Sequence, residues 1–171
     1  MLLEKIGIFF EIINIDIDES VNKNEIPLDY VLRLAREKAR KGKELSRNNL
    51  PVLAADTAVV LNDVVLGKAE CKDDAIRMLN ELSGHAHHVL SAVTVIGKKE
   101  ITKLNISKVT FNVLSKDDIL HYCSTGEPIG KAGGYAIQGK GAILIKKLEG
   151  SYSGVMGLPL EETCQLLSDY D

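Results

Sequence analysis

The chain has 171 residues, 45% hydrophobic and 26% charged, ordinary values for one globular domain with a real core. Its formal net charge of -3 gives no general attraction to nucleic acid or anionic lipid, and no apolar run approaches the roughly 20 residues of a membrane span. Cys71, Cys123 and Cys164 are too few and too scattered for a disulfide framework or metal knuckle, and Glu4-Lys5 follows Met1 too closely for a secretory signal. The expectation is a reduced, cytoplasmic setting without nucleic-acid or membrane partners.

Ile8 to Ile17, rich in Ile and Phe, reads as a strand. It runs into an acidic cluster, Asp16, Asp18 and Glu19, which fits either a solvated strand end or a source of oxygen ligands for a hard cation. Pro27 opens a helix with Leu28, Val31, Leu32, Ala35 and Ala39 as its apolar stripe. The opposite face, Arg33, Arg36, Lys38, Arg40, Lys41 and Lys43, reads as solvated. Of these, Lys38 is the one that can still turn inward to a small phosphate ligand.

The stretch PVLAADTAVVLNDVVLGKAE, Pro51 to Glu70, organises the chain. An apolar run, Val52 to Ala55, suits a buried strand. Asp56 and Thr57 interrupt it, and Ala58 to Leu61 resumes it. Asn62-Asp63 makes a turn, and Val64 to Leu66 returns to Gly67-Lys68. A carboxylate and an ammonium at one end of a sheet suit phosphate and metal chemistry. The same spacing fits a solvated Asp56–Lys68 ion pair at the hairpin rim.

A second helix is expected over Lys72–Ser83, stopped by Gly84, with Ala75, Ile76, Leu79 and Leu82 inward. His85, His87 and His88 invite a metal reading, but no Cys or second His cluster completes a site. Strands are expected over 88–96 and 101–113, the latter alternating Val109, Phe111 and Val113. Ser115 and Asp118 have capping-box spacing before a third helix, Lys116–Ser124. The glycine-rich stretch 127–142 matches neither a Walker loop nor a dinucleotide fingerprint. It is either a solvated loop or a close approach to a ligand, with Lys131 and Gln138 as contacts. A strand over Ala142–Leu148 and a final helix opened by Pro159, with Leu160, Thr163, Cys164 and Leu167 inward, complete the chain. The pattern predicts an α/β fold with a mixed central sheet flanked by helices.

Several stretches together resemble the Maf family: LAREKA at 34–39, AADT at 54–57, Gly67-Lys68, LSG followed by His87, GEP at 126–128, KAGGYAIQG at 131–139 and GSYSGVMGLPLEET at 150–163. Their order and spacing hold over nearly the whole chain. The resemblance implies a single Maf-like domain over residues 1–171, with an elongated central sheet, a deep cleft and a relationship to inosine triphosphatases. It implies a house-cleaning nucleoside triphosphate pyrophosphatase, and the AIQG form is similar to the branch acting on dTTP and UTP.

The same resemblance implies roles. Asp56 is the proton acceptor for water or a holder of the metal. Thr57 and Gln138 help select the base, Lys38 and Lys68 hold the triphosphate, and Glu19 joins the metal-side carboxylates. The implied cofactor is Mg2+ or Mn2+, the implied partner a nucleoside triphosphate, and a homodimer is compatible with the family. The chain is N-terminally short of the family's S-x-S-P-R-R loop, so a weaker grip on the triphosphate is expected.

The alternative is a Maf-like protein that binds nucleotides with little or no cleavage. An aspartyl-nucleophile phosphatase would want a second Asp where Ala58 stands. A nucleic-acid binder would use the Arg33–Lys43 face.

Overall fold

Asn62 and Asp63 both hold positive φ, 49° and 61°. That is the backbone of a type I′ turn, which Asn and Asp tolerate better than most side-chain-bearing residues. The turn joins β1 (Val52–Leu61) to β2 (Val64–Leu66), with Leu61 opposite Val64. The apolar runs on either side of Asp56-Thr57 therefore belong to one strand. The computed structural model describes residues 2–168.

Around this hairpin stand α1 (Leu2–Lys5), α2 (Pro27–Leu45), α3 (Lys72–Leu82), β3 (Ala86–Ile96), β4 (Glu100–Phe111), α4 (Lys116–Ser124), β5 (Ile145–Glu149), α5 (Tyr152–Val155) and α6 (Leu160–Ser168). A 3-10 turn spans Lys140–Leu144. The sheet order is β2-β1-β3-β4-β5. All pairings of the named strands are antiparallel, and the parallel element is an isolated bridge between Ala69 and Ile129. The expected α/β class with helices flanking a central sheet holds, and the sheet itself, expected to be mixed, is antiparallel among the described residues.

The two sheet faces are covered differently, because alternate strand residues point opposite ways. On one face Ala58, Val60, Leu90 and Ala92 pack on Val31 and Ala35 of α2. On the other, Val59, Val89, Val109 and Phe111 pack with α3, α4 and the glycine-rich loop. Val93 and Val95 meet Leu166 of α6 on that second face. The α4 capping box is present as expected: Ser115 and Asp118 bond each other's backbone N–H.

Three expectations are corrected. Residues 8–17 form no strand; their side chains alternate between exposed and half-buried for most of their length, but no strand ladder takes them in. Alternation specifies an extended chain on a surface, whereas a strand also needs a partner edge. Val113 lies past the end of β4 and is 86% exposed. In α6, Thr163 is buried and Leu167 packs half-buried against the core as expected, but Cys164 is exposed and Leu166 takes the buried place instead. No helix of the described residues is long and apolar enough to cross a membrane.

Candidate active site

The site arises where β1 loses a neighbour. β3 pairs with β1 from Val52 to Val60, but β2 pairs only with Val59 to Leu61. Asp56 and Thr57 thus stand on a stretch of β1 whose second edge carries no strand among the described residues. Two adjoining concavities, about 260 Å³ and about 290 Å³, wrap this open edge and share Asp56, Thr57, Lys68 and Ala132. Adjacent strand residues face opposite ways, so Asp56 points to the α2 face and Thr57 to the other.

Lys38 is not on the solvated face of α2. Position 38 follows Leu34 by four and Ala35 by three, so it falls on the buried stripe. Its ammonium lies 2.7 Å from Oδ1 of Asp56 and 2.7 Å from Oε1 of Glu19. The second Glu19 oxygen lies 2.5 Å from Nζ of Lys68. The chain of charges runs Asp56, Lys38, Glu19, Lys68. No Asp56–Lys68 pair forms, contrary to that reading of the hairpin.

Burial pushes the Asp56 carboxyl above its ordinary value, and the nearby Glu19 charge adds to this against the pull of Lys38. Burial works against the Lys38 ammonium, but the hydrogen bonds to Asp56 and Glu19 outweigh it and its pKa is raised. Burial likewise opposes the Glu19 charge, yet the two lysines hold its carboxyl below the usual range.

Of the acidic cluster, only Glu19 reaches the site. Asp18 turns back to accept from the Ser20 N–H at 2.8 Å, and Asp16 is exposed. Tyr30 and Arg33 anchor the segment: Tyr30 donates to the Glu19 carbonyl at 3.0 Å, and Arg33 donates to the Ser20 carbonyl at 2.9 Å. Sequence reasoning missed Tyr30, whose signal is an aromatic ring beside the stripe residue Val31.

On the other face, Ser91 donates to the Gly154 carbonyl at 2.6 Å. Its one proton is thereby committed, so the 2.7 Å contact with Thr57 is donated by Thr57. The Thr57 oxygen keeps its lone pairs for an incoming donor. Gln138 lines the same concavity, exposed, and its amide has no partner among the described residues. Lys131 and Met156 line it too.

The glycine-rich loop reaches β1 because the segment after β2 pairs with it. Ala69 donates to Lys131 at 3.2 Å, Gly133 to Gly67 at 3.0 Å and Gly130 to Ala69 at 2.9 Å. These bonds set Lys68 beside the loop. Tyr135, buried on the pocket wall, bonds Nε2 of His87 at 2.8 Å. His87, Tyr135 and Phe111 meet edge to face, with centroids 4.9 to 5.5 Å apart. Of the HAHH histidines, His87 is therefore a core residue. Burial, with His88 nearby, lowers its pKa to about 4. Among the described residues, no three His, Cys, Asp or Glu side chains gather as a metal cage.

Two carboxylates and two lysines at a sheet edge, with an uncommitted amide across it, suit a phosphate-bearing ligand with a polar head. The sequence profile described as Maf-like protein matches residues 1–170. The chain belongs to the Maf family. It is 46% identical over 175 residues to the dTTP/UTP pyrophosphatase of Alkalilimnicola ehrlichii, covering 99% of this chain and 87% of that protein. It is 50% identical over 168 residues to the dTTP/UTP pyrophosphatase of Methylobacillus flagellatus, covering 97% and 84%. It is 44% identical over 174 residues to the nucleoside triphosphate pyrophosphatase of Xylella fastidiosa, covering 99% and 92%.

Proposed function

We propose that this protein hydrolyses dTTP and UTP to the nucleoside monophosphate and pyrophosphate. The observation that carries the reading is the Asp56 carboxylate, 8% exposed at an open sheet edge and 2.7 Å from the Lys38 ammonium. The names of the relatives supply the substrate class.

The triphosphate lies along the α2 side, where Lys38 and Lys68 meet its negative oxygens. Water attacks the α-phosphorus, the bond from that phosphorus to the α–β bridging oxygen breaks, and pyrophosphate leaves. Asp56 takes the proton of the attacking water. A pKa raised by burial suits that task, because a base works best when its pKa nears the operating pH. Glu19 lies between the two lysines, so the incoming triphosphate must displace it from at least one. The freed carboxylate then faces the phosphates beside Asp56.

A divalent cation fits this donor set. Mg2+ takes one or two carboxylates and completes its shell with water and substrate phosphates rather than an all-protein cage. Asp56 and Glu19, both within 2.7 Å of one nitrogen, are such a pair. Mg2+ or Mn2+ held there would supply charge neutralisation at the phosphates and acidify the attacking water.

The base lies across the edge, where Thr57 accepts and the Gln138 amide both donates and accepts. Uracil and thymine offer a ring N–H between two carbonyls, which these groups complement. Pyrophosphate release from dTTP, UTP, CTP, ATP and GTP with Mg2+ tests the reading. Turnover that prefers dTTP and UTP supports it. Binding of dTTP by calorimetry without release would make the protein a nucleotide binder instead.

A further inference from the structure

The loop that carries Gln138 is tied down by two side chains lying outside both concavities. Glu127 accepts from the Lys140 N–H at 2.9 Å and from the Gly141 N–H at 2.9 Å. The same carboxylate accepts from the Tyr122 hydroxyl at 2.9 Å, and that hydroxyl accepts from the Ala136 N–H at 3.1 Å. Residues 136, 140 and 141 are thus held by one phenol–carboxylate pair, with Gln138 between the tied points.

The approach is close enough to exclude side chains. A Cβ on Gly139 would stand 2.2 Å from Oε2 of Glu127, and one on Gly141 would stand 2.7 Å from the Ala136 carbonyl and 2.8 Å from the Tyr122 oxygen. Tyr122 is 1% exposed and anchored in the α4 core, so the clamp is fixed to the rigid body of the domain. The Gln138 side chain itself has no hydrogen-bond partner among the described residues. Its place in the pocket is set by the backbone that the clamp pins.

We infer that Tyr122 and Glu127 are positioning residues for base selection, acting through Gln138. The inference rests on the dTTP/UTP reading and deepens it. Releasing the clamp lets the loop drift from the open edge of β1. The amide then loses its register with a pyrimidine, and the pocket admits a larger base. Lys38, Lys68 and Asp56 lie on other elements, so the grip on the triphosphate and the proton transfer stay.

The test compares kcat and KM for UTP and ATP in the parent, Tyr122→Phe, Glu127→Gln, Gln138→Ala and the Tyr122→Phe/Gln138→Ala double variant. Expected in Tyr122→Phe is a KM for UTP raised about tenfold, a kcat within about twofold, and a UTP-to-ATP ratio of kcat/KM lowered about tenfold. Glu127→Gln shifts the same way, and the double variant is no less selective than Gln138→Ala alone, since coupled residues are non-additive. Additive losses, or an equal fall in kcat on both nucleotides, would show a merely structural role and overturn the inference. A selective parent whose two clamp variants both keep the parental ratio overturns it alone. A parent with no preference for UTP overturns the substrate reading, and the clamp's role with it.

Discussion

The Lys38 ammonium sits 2.7 Å from a carboxylate oxygen of Asp56, and neither side chain is more than 16% exposed. Removing one partner of such a pair leaves a buried charge without compensation. Lys38→Met should therefore destabilise the fold by about 3 kcal/mol at neutral pH, seen as a lower urea midpoint. Combining it with Asp56→Asn should recover much of that loss, because the stranded charge is gone. Lys68 is 56% exposed in its contact with Glu19. Lys68→Ala should cost under about 1 kcal/mol and act on KM for the nucleotide instead. Equal destabilisation by the two lysine variants would contradict the buried-pair account.

Asp56→Asn should lower pyrophosphate release at least about 100-fold, the usual size of a lost general base, while the fold survives with a smaller loss of stability than Lys38→Met, because Lys38 keeps its Glu19 partner. The carboxyl pKa is raised, so the active, deprotonated form is lost as pH falls through a value above the ordinary carboxylate range. The acid limb of the kcat profile should lie there and be missing from any residual activity of the variant. A variant that turns over dTTP at the parental rate would remove Asp56 from the reaction.

Much of the site is legible in the sequence, and what is not has physical causes. Helix α2 shows in its 3.6-residue stripe, and Lys38 belongs to that stripe: counting from Leu34 and Ala35 turns it inward, although its charge suggests solvent. Asp56 shows as a lone carboxylate inside an apolar strand. Its partner does not show, because strand alternation sends it to the α2 face while Lys68 lies past the end of β2. The segment 8–17 carries a strand's alternation without a strand's partner, and no single-chain pattern encodes a missing edge. The Tyr122–Glu127 clamp is invisible for a related reason. Its bonds join residues brought together only by the fold.

His87 predicts an acid sensitivity of its own. Folding lowers its pKa from 6.5 to about 4, since burial disfavours the charged ring. The unfolded chain therefore binds the proton first as pH falls. The neutral ring's contribution is complete above pH 6.5, and it is lost as pH drops from 6.5 toward 4. The full loss is on the order of 3 kcal/mol, from about 1.4 kcal/mol per pKa unit. Urea unfolding at pH 7 and pH 4.5 should show a steeper decline for the parent than for His87→Gln, which has no proton to gain. Parallel declines would mean that His87 is protonated in the folded state.

Gly133 couples the glycine-rich loop to the core strand beneath the site. It holds φ of 66°, and an added Cβ would lie 2.9 Å from Cγ1 of Val59, itself 3% exposed. Gly130, with φ of 74°, has nothing within 4 Å of the same position. Both alanine variants carry the left-handed backbone cost of about 1 to 2 kcal/mol, and only Gly133→Ala adds a steric conflict with the core, worth about 1 to 3 kcal/mol more. Urea midpoints should separate the two by that margin. Val59→Ala, which removes the opposing methyl groups, should shrink the added penalty of Gly133→Ala when the two are combined. If the two glycine variants unfold at the same urea concentration, the loop does not bear on Val59 and its position over β1 is held by its hydrogen bonds rather than by packing on that strand.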